Sequence, residues 1–290
     1  MTLIHTPFGF ASTAAEVVAG IDLSGRRAIV TGGSSRLGVE TARALVSAGA
    51  EVVLAVRDTA AGEQAAKDVI ETTGRAAVRV APLDLADQDS VAAFVAAWEG
   101  PLHLLVANAG VMACPERRNA EGWEWQFATN HLGHFALATG LHRSLVAEGA
   151  RVLAVSSSGH QLSPVVFDDV HFAFRAYDPW LAYGQSKTAN ALMPGAILTN
   201  LQRHTGGRGS GTVGPELMKT PQQGAATSVL LATSPLLDGI GGRYFVDCNE
   251  TPTIDRRDEA PQLHGVARYA LNPDSAERLW TYSEKLVAGA

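Results

Sequence analysis

The chain has 290 residues, 46% of them apolar and 18% charged, so it can bury a sizeable core in one large domain and does not have the composition of a disordered chain. Its net charge of -6 comes without a basic block, which argues against nucleic acid as the main partner, and no apolar run is long enough for a membrane-spanning helix. The opening MTLIHTPFGFASTAAEVVAGIDLSG lacks the basic, apolar and small-residue order of a secretion signal, so a cytoplasmic location is expected, with Cys114 and Cys248 reduced and packed.

Residues 1–22 read as an N-terminal extension with a short helix. From residue 26, short β-branched runs alternate with Ala-rich helical stretches, the pattern of βαβ units on a parallel sheet. Strand 26–30 runs into TGGSSRLG (31–38) and a helix at 37–48, and strand 51–56 leads through Arg57 and Asp58 to a helix at 59–73. Strand 76–83 ends in LDL (83–85) before a helix at 87–98; strand 102–107 ends in ANAG (107–110) before a helix at 121–147 that carries NHLGHF (130–135). Strand 151–156 enters VSSSGH (155–160), and AYGQSKTANALM (182–193) follows on a helix. The Gly-rich stretch 205–214 reads as a mobile loop, 243–247 as a last strand, and 251–290 as a tail closing with a helix near 274–287. Right-handed crossovers then make residues 23–250 a single α/β domain, a doubly wound parallel sheet of the Rossmann type.

A strand followed by TGGSSRLG and a helix is the context of a phosphate site. Gly32, Gly33 and Gly38 permit a tight turn that brings backbone N–H groups to a pyrophosphate at the helix N-terminus; an ordinary strand-to-helix turn is the plain alternative. Tyr183 and Lys187, four apart, share one helix face, where an ammonium can approach a phenol whose free pKa is about 10. The hydroxyls of Ser156, Ser157 and Ser158 follow a strand, where open α/β sheets bind ligands. His131 and His134 lack a third ligand at a recognised spacing, so no metal site is expected and both read as structural; Trp123 and Trp125 read as anchors of the helix start.

In this order, the glycine loop, ANAG, Asn130, the serine-rich strand end and YxxxK resemble the short-chain dehydrogenase/reductase family over residues 24–250. NHLGHF and the long insertion before Tyr183 resemble its retinol-dehydrogenase-like branch. The resemblance implies that Gly32, Ser34, Ser35, Arg36, Leu37 and Gly38 cradle a dinucleotide diphosphate, that Asp84 and Leu85 meet adenine, and that Asn108, Ala109 and Gly110 line the site. It also implies that Pro194, Gly195, Ile197 and Thr199 border the nicotinamide. The family pattern TGxxxGxG has a glycine where this chain has Arg36, whose side chain either crowds the diphosphate or swings out to pair with it. Val56 stands where NAD-preferring members carry an acid and Arg57 where NADP-preferring members carry a base. NADP is therefore expected, with NAD the alternative and Asp58 a complication.

The implied catalytic set is Asn130 holding a relay water, Ser157 orienting the substrate oxygen with Ser156 and Ser158 as register alternatives, Tyr183 as acid and base, and Lys187 lowering the phenol pKa while binding ribose. The implied reaction is hydride transfer between a carbonyl and an alcohol on a small molecule, in a chain that a homo-oligomer would also suit. A nucleotide-binding pseudoenzyme or interaction scaffold is the competing reading; a methyltransferase-like Rossmann enzyme would leave Tyr183 and Lys187 without a task.

Family members place a long helix and a sixth strand between the lysine and the Pro-Gly turn, yet TANALM alone separates Lys187 from Pro194. The domain thus reads as lacking that helix-strand excursion, through residues missing from the sequence as given or through a true deletion. A deletion is expected to cost the usual dimer surface a helix face and to leave strand 243–247 without its neighbour.

Overall fold

The computed structural model describes residues 2–193, 196–198, 219–259 and 264–290. The Gly-rich stretch 205–214 and the positions Pro194, Gly195 and Thr199 lie outside the described residues.

In chain order the first half runs α1 (Ala14–Val18), β1 (Arg27–Thr31), α2 (Arg36–Ser47), β2 (Glu51–Val56), α3 (Thr59–Thr73), β3 (Val78–Pro82), α4 (Gln88–Ala96) and β4 (Leu104–Ala107). The expected single helix over 121–147 is segmented into α5 (Trp125–Phe127), a π-helical turn (Ala128–Leu132), α6 (Gly133–Gly140) and α7 (His142–Val146). Its start is fixed by Glu124, whose buried carboxylate accepts the N–H groups of Gln126 and Phe127. There follow β5 (Arg151–Ser156), a 3-10 turn (Ser158–Leu162), α8 (Pro179–Leu192), β6 (Ala196–Leu198), α9 (Pro221–Thr233), β7 (Phe245–Val246), β8 (Asn249–Glu250), β9 (Thr253–Ile254), β10 (Val266–Ala267) and α10 (Pro273–Ala288).

Three of these helices open with a capping side chain followed by proline, at Asp178–Pro179, Thr220–Pro221 and Asn272–Pro273. The cap satisfies N–H groups that the first turn leaves unpaired, and the proline brings a helical φ to a position that needs no donor.

Among the described residues the main sheet has the order β3-β2-β1-β4-β5-β6-β7-β8, parallel except for the β7–β8 hairpin. Strands β1, β2 and β4 are buried on both faces, which their unbroken Val, Ile, Leu and Ala runs require. Ala28, Val30, Val52, Leu54 and Val106 share one core cluster with Leu45 of α2 and Val69 of α3. Ile29, Val53, Ala55 and Leu105 share another with Phe94 of α4 and Leu137 of α6. Helix α10 adds Leu279 to a third cluster, with Phe127, Leu132 and Ala189.

One expectation is corrected here. The connection after Lys187 is indeed short, α8 ending five residues later, but the last strand does not lose its neighbour: β6 stands between β5 and β7, with Ile197 opposite both Val155 and Phe245. Three residues suffice because β6 pairs only with Ala154–Ser156, the C-terminal half of β5. Towards the other end of β5, Arg151 turns its guanidinium to the carbonyl oxygens of Leu231 and Ser234 at the end of α9.

The N-terminal extension is stitched to the far end of the chain. Ile4 N–H donates to the Glu250 carboxylate at 2.9 Å and its carbonyl accepts Glu250 N–H at 2.9 Å, while Ala14, Val17 and Val18 of α1 pack on Ala225, Val229 and Leu230 of α9.

Gly133, at the start of α6, lies so close to the loop after β3 that a Cβ would sit 2.1 Å from the Leu85 carbonyl oxygen. Backbone cannot yield as a flexible side chain does, so Gly133→Ala is expected to cost about 2 kcal/mol or more of unfolding free energy, read as a lowered urea midpoint at unchanged m-value.

Candidate active site

A cleft opens at the C-terminal rim of the sheet, lined by Gly32, Ser34, Ser35, Arg36, Leu37 and Gly38 after β1, by Arg57 and Asp58 after β2, by Asp84 and Leu85 after β3, and by Asn108, Ala109 and Gly110 after β4. These segments close on one another tightly. Gly32 has φ +64, and a Cβ there would lie 2.9 Å from Ala109 Cα; a Cβ at Gly38 would lie 2.4 Å from the Gly32 carbonyl oxygen. Both positions therefore require glycine. Arg36 has φ +39, the left-handed conformation that the family glycine would take without strain, at a cost of about 1 kcal/mol or more for an L-residue with a Cβ.

Asp58, the complication in reading the nucleotide preference, is engaged elsewhere: its carboxylate caps α3 by accepting Ala61 N–H at 3.0 Å. Arg57 is exposed at the cleft wall and has no ion-pair partner among the described residues.

Beyond Gly110 the cleft wall meets α8. A Cβ on Gly110 would come within 3.3 Å of Lys187 Nζ and 3.2 Å of Asn130 Oδ1. Asn130 sits in the π-helical turn, where its side chain pairs with both the N–H (2.8 Å) and the carbonyl (2.9 Å) of Val111 and donates to Ser186 Oγ at 2.9 Å. Ser186 Oγ in turn donates to the Tyr183 carbonyl at 2.7 Å, so the asparagine holds the loop after β4 against α8.

Tyr183 and Ser157 come together. The Tyr183 ring lies over Gly159, where a Cβ would be 2.6 Å from its Cε1 and 3.4 Å from Ser157 Oγ. Tyr183 is 1% exposed, and its hydroxyl has no hydrogen-bond partner among the described residues. Burial pushes the phenol up to about 12, with the neighbouring Ser157 pulling it slightly the other way. The two other serines face different duties: Ser156 Oγ donates to the Lys187 carbonyl at 2.7 Å, and Ser158 opens the 3-10 turn.

Lys187 is fully buried, and burial pulls its ammonium down to about 7. Its Nζ donates to the Val155 carbonyl at 3.0 Å, an acceptor shared with Asn190 Nδ2 at 3.0 Å, and it lies 5.8 Å from the Tyr183 ring centre. In this arrangement desolvation governs both groups, raising the phenol and lowering the ammonium.

Sequence reasoning missed the surroundings of Ser157. His160 fixes that turn, its Nδ1 2.6 Å from the Ser157 carbonyl and its Nε2 accepting Ala267 N–H at 3.0 Å, and Tyr244 places a second buried phenol 3.3 Å from Nδ1. The SSSGH spacing put His160 near the strand end, but contacts with residues 84 and 107 positions away carry no local signal. Trp123 and Trp125 are buried as anchors, and Arg117 stacks on Trp125 at 3.7 Å. Of the residues expected to border a nicotinamide, Ile197 lies in β6 level with Val155; the other three fall outside the described residues.

A family model described as short chain dehydrogenase matches residues 26–167. A Streptomyces antibioticus protein described as "Probable oxidoreductase" is 49% identical over 93% of this chain and all of its own length; that alignment spans 300 positions, so the relative carries residues with no counterpart here. Mouse retinol dehydrogenase 11 is 37% identical over 92% of this chain and 88% of its own. The solved structure of an uncharacterised Mycobacterium paratuberculosis protein superposes with a TM-score of 0.74, at 31% identity over 93% of this chain and 97% of that one.

The depressed Lys187 pKa makes a stability prediction. An unfolded lysine keeps its proton up to its ordinary value of 10.5 whereas the folded one releases it near 7, so the burial penalty is fully present below pH 7 and is relieved as pH rises to 10.5. Lys187→Met is expected to stabilise the ligand-free protein at pH 7 by on the order of a few kcal/mol, an advantage that shrinks towards pH 10.5. Thermal denaturation of both proteins across that range reads the difference.

Proposed function

The chain belongs to the short-chain dehydrogenase/reductase family, and from that premise we propose that it is an NADP(H)-dependent oxidoreductase interconverting a small-molecule carbonyl and the corresponding alcohol. The observation that carries this reading is the Tyr183 hydroxyl, sealed from water and unpartnered beside Ser157, on the helix that brings Lys187 against the cleft at Gly110. A buried polar group without a partner calls for a functional reason, and an incoming substrate oxygen supplies one.

The residues fit a dinucleotide. The cleft follows the C-terminal strand ends, Gly32 and Gly38 let the loop before α2 close tightly at the cleft, and Arg57 stands ready for a 2′-phosphate. The bound nicotinamide supplies a hydride acceptor or donor. In reduction, Ser157 would donate a hydrogen bond to the carbonyl oxygen and Tyr183 would give that oxygen its phenolic proton; in oxidation the Tyr183 phenolate would take the proton back. In its ammonium form Lys187 has two N–H bonds beyond the one it gives Val155, enough to hold a ribose hydroxyl and to stabilise a phenolate. Buried, unbridged Cys114 and Cys248 suit a reducing cytoplasm. Among the described residues no helix is long and apolar enough to cross a membrane.

The competing reading, a nucleotide-binding pseudoenzyme or an interaction scaffold of the same fold, draws on the strained Arg36 at the diphosphate position. Tyr183→Phe separates the two: turnover of a carbonyl panel with NADPH is expected to fall about 10²- to 10⁴-fold while NADPH affinity is kept, and unchanged turnover removes the phenol from the reaction. A folded wild-type protein that binds neither NADPH nor NADH is the scaffold. Arg57→Ala is expected to weaken NADPH binding by about tenfold or more and leave NADH affinity unaltered, as measured by cofactor fluorescence titration.

A further inference from the structure

His134 has a position that a merely packed helix histidine does not need. It is 2% exposed, lies one turn after Asn130, and has a hydrogen-bond partner on each ring nitrogen: Nδ1 is 2.9 Å from the Asn130 carbonyl, and Nε2 is 2.8 Å from Thr31 Oγ1. Thr31 ends β1 immediately before the glycine loop, and its hydroxyl oxygen already accepts two backbone N–H groups from the loop after β4, Asn108 and Ala109, each at 2.9 Å.

These four contacts admit one proton arrangement. A carbonyl only accepts, so Nδ1 must carry the proton; Nε2 then bears the lone pair, and the Thr31 hydroxyl donates to it. Its other acceptor, the Val106 carbonyl, is farther at 3.3 Å. The opposite tautomer, or the imidazolium, would make Nε2–H a third donor onto an oxygen with two lone pairs while Thr31 turned its own proton away. Burial supports the neutral ring by pulling its pKa down to about 4, and the ionisable groups that act on it, Lys187 and His131, lie on α8 and in the π-helical turn.

We propose that His134 is a positioning residue that locks the dinucleotide-binding edge of the sheet, Thr31 with Asn108 and Ala109, to Asn130 and through it to the helix of Tyr183 and Lys187. The inference rests on the oxidoreductase reading and adds to it a route by which seating of the cofactor and alignment of the catalytic helix are set by one imidazole. The path is continuous: Ala109 N–H to Thr31, Thr31 to His134, His134 to the Asn130 carbonyl, and the Asn130 side chain to Ser186 and Val111. The wide π-helical turn over 128–132 is what carries Asn130 at this junction.

Two measurements test the lock. Long-range 1H–15N spectra of the ligand-free wild-type protein, with the His134 signals assigned by comparison with His134→Gln, are expected to show a neutral ring protonated at Nδ1 from pH 5.5 to 8. An Nε2–H ring, or a titration in that range, overturns the proposal without touching the oxidoreductase reading. The second is a double-mutant cycle in NADPH affinity and kcat with Thr31→Ala and His134→Gln. Each single variant is expected to weaken NADPH binding about tenfold and to lower kcat, and the double variant to be no worse than the poorer single one. Additive losses, or a His134→Gln protein with wild-type affinity and kcat, overturn the lock. Failure of the wild-type protein to bind either nucleotide overturns the functional reading and the lock with it.

Discussion

Beyond its first turn, helix α8 has no face left for water: every residue from Ala182 to Leu192 is buried, including the lysine and the tyrosine. This enclosure governs the site. Burial there pulls the Lys187 ammonium down to about 7 and pushes the Tyr183 phenol up to about 12. Burial therefore keeps the phenol protonated at neutral pH. The helix can be surrounded because it is built of small residues. Gly184 lets the 3-10 turn after β5 approach until a Cβ would be 2.8 Å from the Gly159 carbonyl oxygen, and Thr188 returns hydrogen bonds to the carbonyls of His160 and Ser163.

The short connection after α8 is compatible with this because it shortens the right end of the sheet. Ligand chemistry in an open α/β sheet happens at the C-terminal strand ends, and β6 pairs with β5 only there. The half of β5 remote from the cleft, Arg151–Leu153, has no β6 partner among the described residues. The Arg151 contacts with the end of α9 occupy that region with side-chain hydrogen bonds to carbonyl oxygens that a helix terminus otherwise leaves to water.

Most of the architecture was legible because it is written in local patterns. Unbroken Val, Ile and Leu runs declare strands buried on both faces, Asp58 and Gly74 bracket α3, and the TGGSSRLG turn lies between a strand and a helix as its glycines demand. Tyr183 and Lys187 stand on one helix because four residues make about one turn. What escaped has a common physical origin: it depends on partners far apart in sequence. The strand at 196–198 is too short to have a period, and is a strand only because Val155 and Phe245 flank it. The π-helical turn around Asn130 interrupts what the pattern reads as one helix. The pKa of Lys187 reflects burial from all sides, which no spacing encodes, and His134 looked structural because its two partners come from β1 and from its own helix.

The stitch between Ile4 and Glu250 joins residues 246 positions apart. During translation the apolar side chains of Ile4, Phe8, Val17 and Val18 emerge early, yet the α9 and β8 surfaces that cover them are synthesised more than two hundred residues later. Until then that segment has only Ile21, Ala44 and Ala48 to rest on, so much of its apolar surface waits uncovered through a long interval in which it is a target for chaperones and for aggregation. The segment around Ile4 and α1 thus gains its full seat only once α9 and β8 have formed.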